Sequence, residues 1–185
     1  MKKQLQVPAT KTELKDLRSG DMVYLTSTIY SARDAAHKRM METLERGEEL
    51  PISLTDNFIY YMGPSPARAS RPIGSAGPTT AGRMDKYTPT LFDLGLSAVI
   101  GKGKRSKEVV EALVRNGGVY FAAIGGAGAL LSKAITSAEV VAYNDLGTEA
   151  IHKLEVKDFP VIVVIDSCGK NLYESAIKEF CTLED

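Results

Sequence analysis

The chain has 185 residues, 44% hydrophobic and 25% charged, with 23 Lys+Arg against 23 Asp+Glu and a formal net charge of zero. That length and composition fit one sizeable domain over residues 1–185 and exclude a disordered chain. Charge neutrality counts against a nucleic-acid partner, which needs surplus cations to meet phosphates, and no apolar run is long enough for a membrane span.

The opening Met1–Pro8 is polar and lacks the apolar stretch of a secretory signal, so a cytoplasmic location is expected. Residues 1–19 read as a partly irregular segment. Residues 20–30 read as a strand opened by a Ser-Gly-Asp turn. Ser31-Ala-Arg-Asp34 has the spacing of a helix cap, and a helix follows to about Arg46, stopped by Gly47. Ala36, Met40 and Leu44 give it one apolar face. Asn57–Met62 is a second strand, followed by a glycine- and proline-containing connection over 63–78 whose length marks it as functional or mobile. A helix start is expected at Thr79, interrupted before Pro89. Ser97–Gly101 is a buried strand, and Ser106–Arg115 a capped helix ended by Asn116-Gly117. Val119–Ile124 is a strand, Gly125–Gly128 leads into a helix to about Ile135, and Glu139–Tyr143 and Pro160–Asp166 are further strands. The alternation of strands and helices predicts a single mixed-sheet α/β domain.

The most informative stretch is Gly74–Asp85, which contains Gly77-Pro-Thr79-Thr80-Ala-Gly-Arg83-Met-Asp85. Small residues allow close backbone approach, a helix start offers unpaired N–H groups, and Arg83 falls on the Thr79/Thr80 side one turn on. An anion cradle and a glycine-rich turn with a surface arginine are both open readings. Lys102, flanked by glycines after a buried strand, either reaches into a cleft at the strand end or is solvated; Lys104 is better read as solvated. Arg33 sits at a helix start where the dipole disfavours a cation, as expected of a residue that meets an anion or simply faces solvent. His37 reads as a locally bonded helix residue and His152 as a surface or half-buried one. Gly125–Gly128 is favoured as close packing, and Cys168 as a thiol in a turn. The two cysteines, Cys168 and Cys181, supply neither a disulfide framework nor a metal-binding set.

Ser31-Ala-Arg33-Asp34-Ala-Ala-His37, Gly77–Asp85 and Gly101-Lys102-Gly103 resemble the beta part of the iron–sulfur hydro-lyases, the family of class I fumarases and L-tartrate dehydratases. Gly117–Gly126, Leu146–Ile151 and Val156–Pro160 carry the resemblance further, over about residues 20–173. Around Ala67–Arg71 the chain lacks a Pro-Gly pair common in that family. The resemblance implies a swivelling β/β/α domain and a [4Fe–4S] cluster on a partner alpha subunit, none of it bound by this chain. It also implies a hetero-oligomer, alpha2beta2, that adds or removes water at a small dicarboxylate. By the family pattern Arg33, Arg83 and Lys102 bind substrate carboxylates, Thr79 transfers a proton, and Thr80 lines the pocket. Fumarate to L-malate is the expected reaction. L-tartrate dehydration is the alternative within the family, and a non-catalytic anion-binding domain the alternative outside it.

Overall fold

The computed structural model describes residues 2–67, 71–123 and 128–180, with backbone only beyond 176. In chain order the elements are β1 (Lys2–Val7), α1 (Lys11–Leu14), β2 (Met22–Ser31), α2 (Asp34–Glu45), β3 (Phe58–Tyr60), α3 (Thr88–Asp93) and β4 (Ala98–Gly101). There follow α4 (Lys107–Asn116), β5 (Val119–Ala122), α5 (Gly128–Leu131), β6 (Ile135–Ala142), β7 (Ile151–Ile165) and α6 (Leu172–Phe180). Short 3₁₀ turns occupy Ala81–Met84, Ser132–Ala134 and Asn144–Glu149. Among the described residues no helix is long and apolar enough to cross a membrane.

One seven-stranded sheet runs β1-β2-β3-β4-β5-β7-β6, and β7 also pairs with β2, so five of the strands close into a ring. β2, β3, β4 and β5 are parallel neighbours, while β7 runs antiparallel to β2, β5 and β6. The mixed α/β reading holds.

The twofold alternation of a strand sorts its side chains onto two faces. Phe58 and Tyr60 of β3 point with Val23, Leu25, Phe121, Phe159 and Val163 into one core. Their neighbours Ile59 and Tyr61 pack with Val99 and Tyr120 beneath the helices, against Met40, Phe92, Val109 and Leu113. Each such side chain contributes about 1.5–3 kcal/mol by leaving water. Both faces of β3, β4 and β5 are therefore covered, and their C-terminal ends are the places where chain leaves the sheet.

Helix α4 forms as its sequence requires. Ser106 accepts from the Val109 N–H, Val109, Ala112 and Leu113 are buried, and Gly117 ends the helix at φ +64°. Several expectations need correction. Ser31 caps nothing: it is the last residue of β2, its hydroxyl buried without a partner among the described residues, and the cap position belongs to Arg33. Thr43, not Leu44, is the buried residue near the end of α2, its hydroxyl turned back on the Arg39 carbonyl. Residues 1–19 contain a strand and a capped turn of helix, in which Thr10 and Glu13 satisfy each other's backbone. The helix expected to reach Ile135 stops at Leu131, and Ile135 opens β6. Ile124–Ala127 and the Arg68–Ser70 part of the long connection lie outside the described residues.

Candidate active site at the strand ends

Three parallel strands end side by side and deliver the residues in question. At the end of β2, the Ala32 N–H donates to the Tyr60 carbonyl (3.1 Å), which turns the chain into Arg33 and α2. Beyond β3, Tyr61 donates to the Ile100 carbonyl (2.8 Å) and its own carbonyl accepts the Thr79 N–H (2.8 Å). Beyond β4, the Lys102 carbonyl accepts the Ala81 N–H (2.9 Å), and Thr80 pairs with Lys102 as a parallel bridge. The returning segment 76–84 is thus laid across the carboxyl ends of β3 and β4, where α/β sheets bind ligands. The buried Tyr60 hydroxyl donates to the Ala76 carbonyl and holds the segment's other end.

This arrangement changes one expectation. The Thr79 and Ala81 amides are not free to serve as a cradle at a helix start, because they are bonded to the Tyr61 and Lys102 carbonyls. The helix is a four-residue 3₁₀ turn, too short for a substantial dipole. What gathers at the site is side chains.

Arg83 Nη2 donates to Thr79 Oγ1 (2.8 Å) and to Asp34 Oδ2 (2.7 Å). Arg33 Nε donates to the same Asp34 oxygen (3.3 Å) and forms an ion pair with Glu149 Oε1 (2.8 Å). Arg33, Arg83 and Thr79 are therefore brought together, and one carboxylate joins the two guanidinium groups. Partial burial pushes the Asp34 carboxyl up, but its own backbone N–H, Arg83 and Arg33 outweigh that and leave it below the ordinary carboxylate range. The network is half-exposed, so its contribution to stability is small and its effect is on position. Lys102 lies beside Thr80 with an exposed ammonium that has no partner among the described residues. The Thr80 methyl stands 3.9 Å from where a side chain on Gly103 would begin. The sequence marks Asp34 only as part of a helix cap and gives Glu149 no role; their partners lie 49 and 114 residues away.

Behind the site His37 is fully buried, its Nδ1 bonded to the Arg33 carbonyl (2.9 Å) and its ring between Tyr61 and Tyr87. Nε2 has no partner. Burial, against the pull of the Arg33 carbonyl, lowers its pKa to about 4. An unfolded chain binds the proton from about pH 6.5 downward, the folded one only near pH 4. The neutral ring's contribution is thus complete above pH 6.5 and is lost as pH falls through that window, by about 3 kcal/mol. His152, also lowered by burial, acts in the same direction. Melting temperature should fall steadily over this window, and His37→Phe should flatten most of the fall; an equally steep curve in the variant would reject this account.

Elsewhere the Asp166 carboxylate accepts the Cys168 and Lys170 amides (3.0 Å each), which makes Cys168 an exposed thiol in a turn; Cys181 lies outside the described residues. Gly128 approaches the backbone of Gly77 so closely that a Cβ would stand 2.9 Å from its nitrogen, so packing accounts for that glycine. Among the described residues no three His, Cys, Asp or Glu side chains are grouped to hold a metal ion.

The family model described as Fumarase C-terminus matches residues 1–176. The chain belongs to that family. It is 43% identical over 159 residues to the anaerobic class I fumarate hydratase of Escherichia coli K12, covering 85% of this chain and 29% of that protein. It is 39% identical over 173 residues to fumarate hydratase 2 of Leishmania major, covering 92% of the chain and 30% of that protein. A putative L(+)-tartrate dehydratase subunit beta of Methanocaldococcus jannaschii is 40% identical over 176 residues, covering 92% of this chain and 90% of its own length. The chain thus spans under a third of the length of these fumarate hydratases.

Proposed function

We propose that this chain is the beta subunit of a two-part hydro-lyase that adds or removes water at a small dicarboxylate, fumarate to L-malate, together with a cluster-carrying alpha polypeptide. The observation that carries the proposal is the meeting of Arg33 and Arg83 on Asp34, beside the Thr79 hydroxyl and next to Lys102. The relative named as a subunit beta, similar over nine-tenths of its length, supports a division into two chains. The described residues do not fit a [4Fe–4S] cluster. In this reading the cluster is held by the alpha polypeptide, in an alpha2beta2 assembly, and the chain contributes its own cations and hydroxyl.

Those contributions follow from charge. A four-carbon dicarboxylate has two carboxylates to hold, and loss of a proton beside one of them spreads a second negative charge onto it. Guanidinium and ammonium groups fixed in place stabilise that charge without reorganising. Thr79, accepting a hydrogen bond from Arg83, is the hydroxyl whose ionised form the cation favours, which suits it to take and return the proton.

The test is the purified pair with fumarate, L-malate or L-tartrate, followed by absorbance under anaerobic conditions. Fumarate hydration is expected, and Arg83→Lys should lower kcat/KM about 10- to 150-fold, as expected for losing charge-assisted contacts of about 1.5–3 kcal/mol. Turnover of none of the three by the assembled pair would overturn the proposal in favour of an anion-binding domain. Turnover of tartrate alone would favour the reading suggested by the archaeal relative.

A further inference from the structure

We propose that Glu149, on the connection between β6 and β7, is a positioning residue that holds Arg33 in the attitude needed to receive a carboxylate; this rests on the function proposed above. Helix α2 begins at Arg33 without a side-chain cap, although the first N–H groups of a helix require acceptors. Glu149 supplies one: its Oε2 accepts the Ala35 N–H (3.2 Å) while Oε1 lies 2.8 Å from Arg33 Nε as an ion pair. A single carboxylate thereby fixes both the helix start and the arginine that stands there.

The choice of nitrogen matters. With Nε hydrogen-bonded to Asp34 and ion-paired with Glu149, Arg33 keeps Nη1 and Nη2 without hydrogen-bond partners among the described residues. Those two nitrogens form the end-on fork that matches a carboxylate. The stem is confined too. A Cβ on Gly63 would stand 3.0 Å from Arg33 Cδ and 2.8 Å from the Thr148 carbonyl, so Gly63 leaves the channel through which the side chain runs. The connection itself is pinned to α2 by the Arg39–Asp145 fork (2.7 and 2.8 Å), with Arg39 over the Tyr143 ring.

Two measurements test this. On the chain alone, the Arg33 Nε–H resonance, assigned by its loss in Arg33→Lys, should exchange slowly with water, and markedly faster in Glu149→Gln, where only the longer bond to Asp34 is left to it. In the assembled enzyme Glu149→Gln should raise KM roughly tenfold with kcat nearly unchanged, Glu149→Asp should recover part of the loss, and in an Arg33→Lys background Glu149→Gln should add nothing. Should Glu149→Gln fail to fold, Glu149→Asp, too short to keep both contacts, takes its place. An Nε–H exchange rate unchanged in Glu149→Gln, an unchanged KM where Arg33→Lys is impaired, or a loss confined to kcat would overturn the assignment. An assembled wild-type enzyme without activity would overturn the functional reading alone, because the Nε–H measurement decides the position of Arg33 without turnover.

Discussion

Asp85→Ala is expected to destabilise the chain by about 3–5 kcal/mol, the cost of stranding a buried cation. The Arg105 side chain has no exposed surface. Its Nε donates to Asp85 Oδ1 (2.7 Å) and its Nη2 to Thr88 Oγ1 (2.9 Å), between the rings of Tyr61 and Tyr120. The second Asp85 oxygen accepts the Ser106 N–H (2.7 Å) that opens α4. Removing the carboxylate leaves one buried charge and two donors unmatched. Against a total stability of about 5–15 kcal/mol, and at about 2–4 °C per kcal/mol for a chain of this size, the melting temperature should fall by roughly 6–20 °C. Replacing Arg105 by methionine in the same chain should recover much of that, since the cost lies in the unpaired charge. A fall of only a degree or so in Asp85→Ala, seen by calorimetry, would mean that the pair does not carry a buried charge. The effect reaches the site, because Asp85 directly follows the 3₁₀ turn that carries Arg83.

Asp85 also illustrates how far the sequence could be read. The block Gly77–Asp85 stands out as one motif, yet in the fold it divides its work: Thr79 and Arg83 face the strand ends while Asp85 turns inward to Arg105. The Thr79–Arg83 contact was legible, being a matter of residues four apart. So were α4, with its serine cap and terminal glycine, and the parallel core strands β2, β3, β4 and β5. Strand β7 was read only from Pro160, because Lys153, Glu155, Lys157 and Asp158 resemble a polar connection. The period is present all the same: His152, Leu154 and Val156 are buried while Lys153 and Glu155 are less so, as expected of a strand with one face inward. What no local pattern reveals is pairing at a distance. Glu149 caps a helix 114 residues upstream, and only the return of β6 and β7 past β2 brings it there.

Thr79→Ala is expected to lower kcat by about 10²- to 10⁴-fold, the usual worth of a positioned proton-transfer group, if the proposed hydro-lyase chemistry is correct. The substitution is clean. The backbone N–H of Thr79 stays bonded to the Tyr61 carbonyl, and Arg83 keeps its contact to Asp34 through the same nitrogen. Both the path of the chain and the guanidinium should therefore survive, so that KM changes little while kcat collapses. Thr79→Val, which fills the space without a hydroxyl, should behave like alanine, and Thr79→Ser should keep most of the rate. This pattern separates proton transfer from simple packing, for which valine would serve better than serine. It also separates it from substrate binding, for which KM would carry the loss. Near-normal turnover in Thr79→Ala, with the alpha polypeptide bound, would remove the hydroxyl from the chemistry and leave Arg33, Arg83 and Lys102 as a carboxylate-binding set alone.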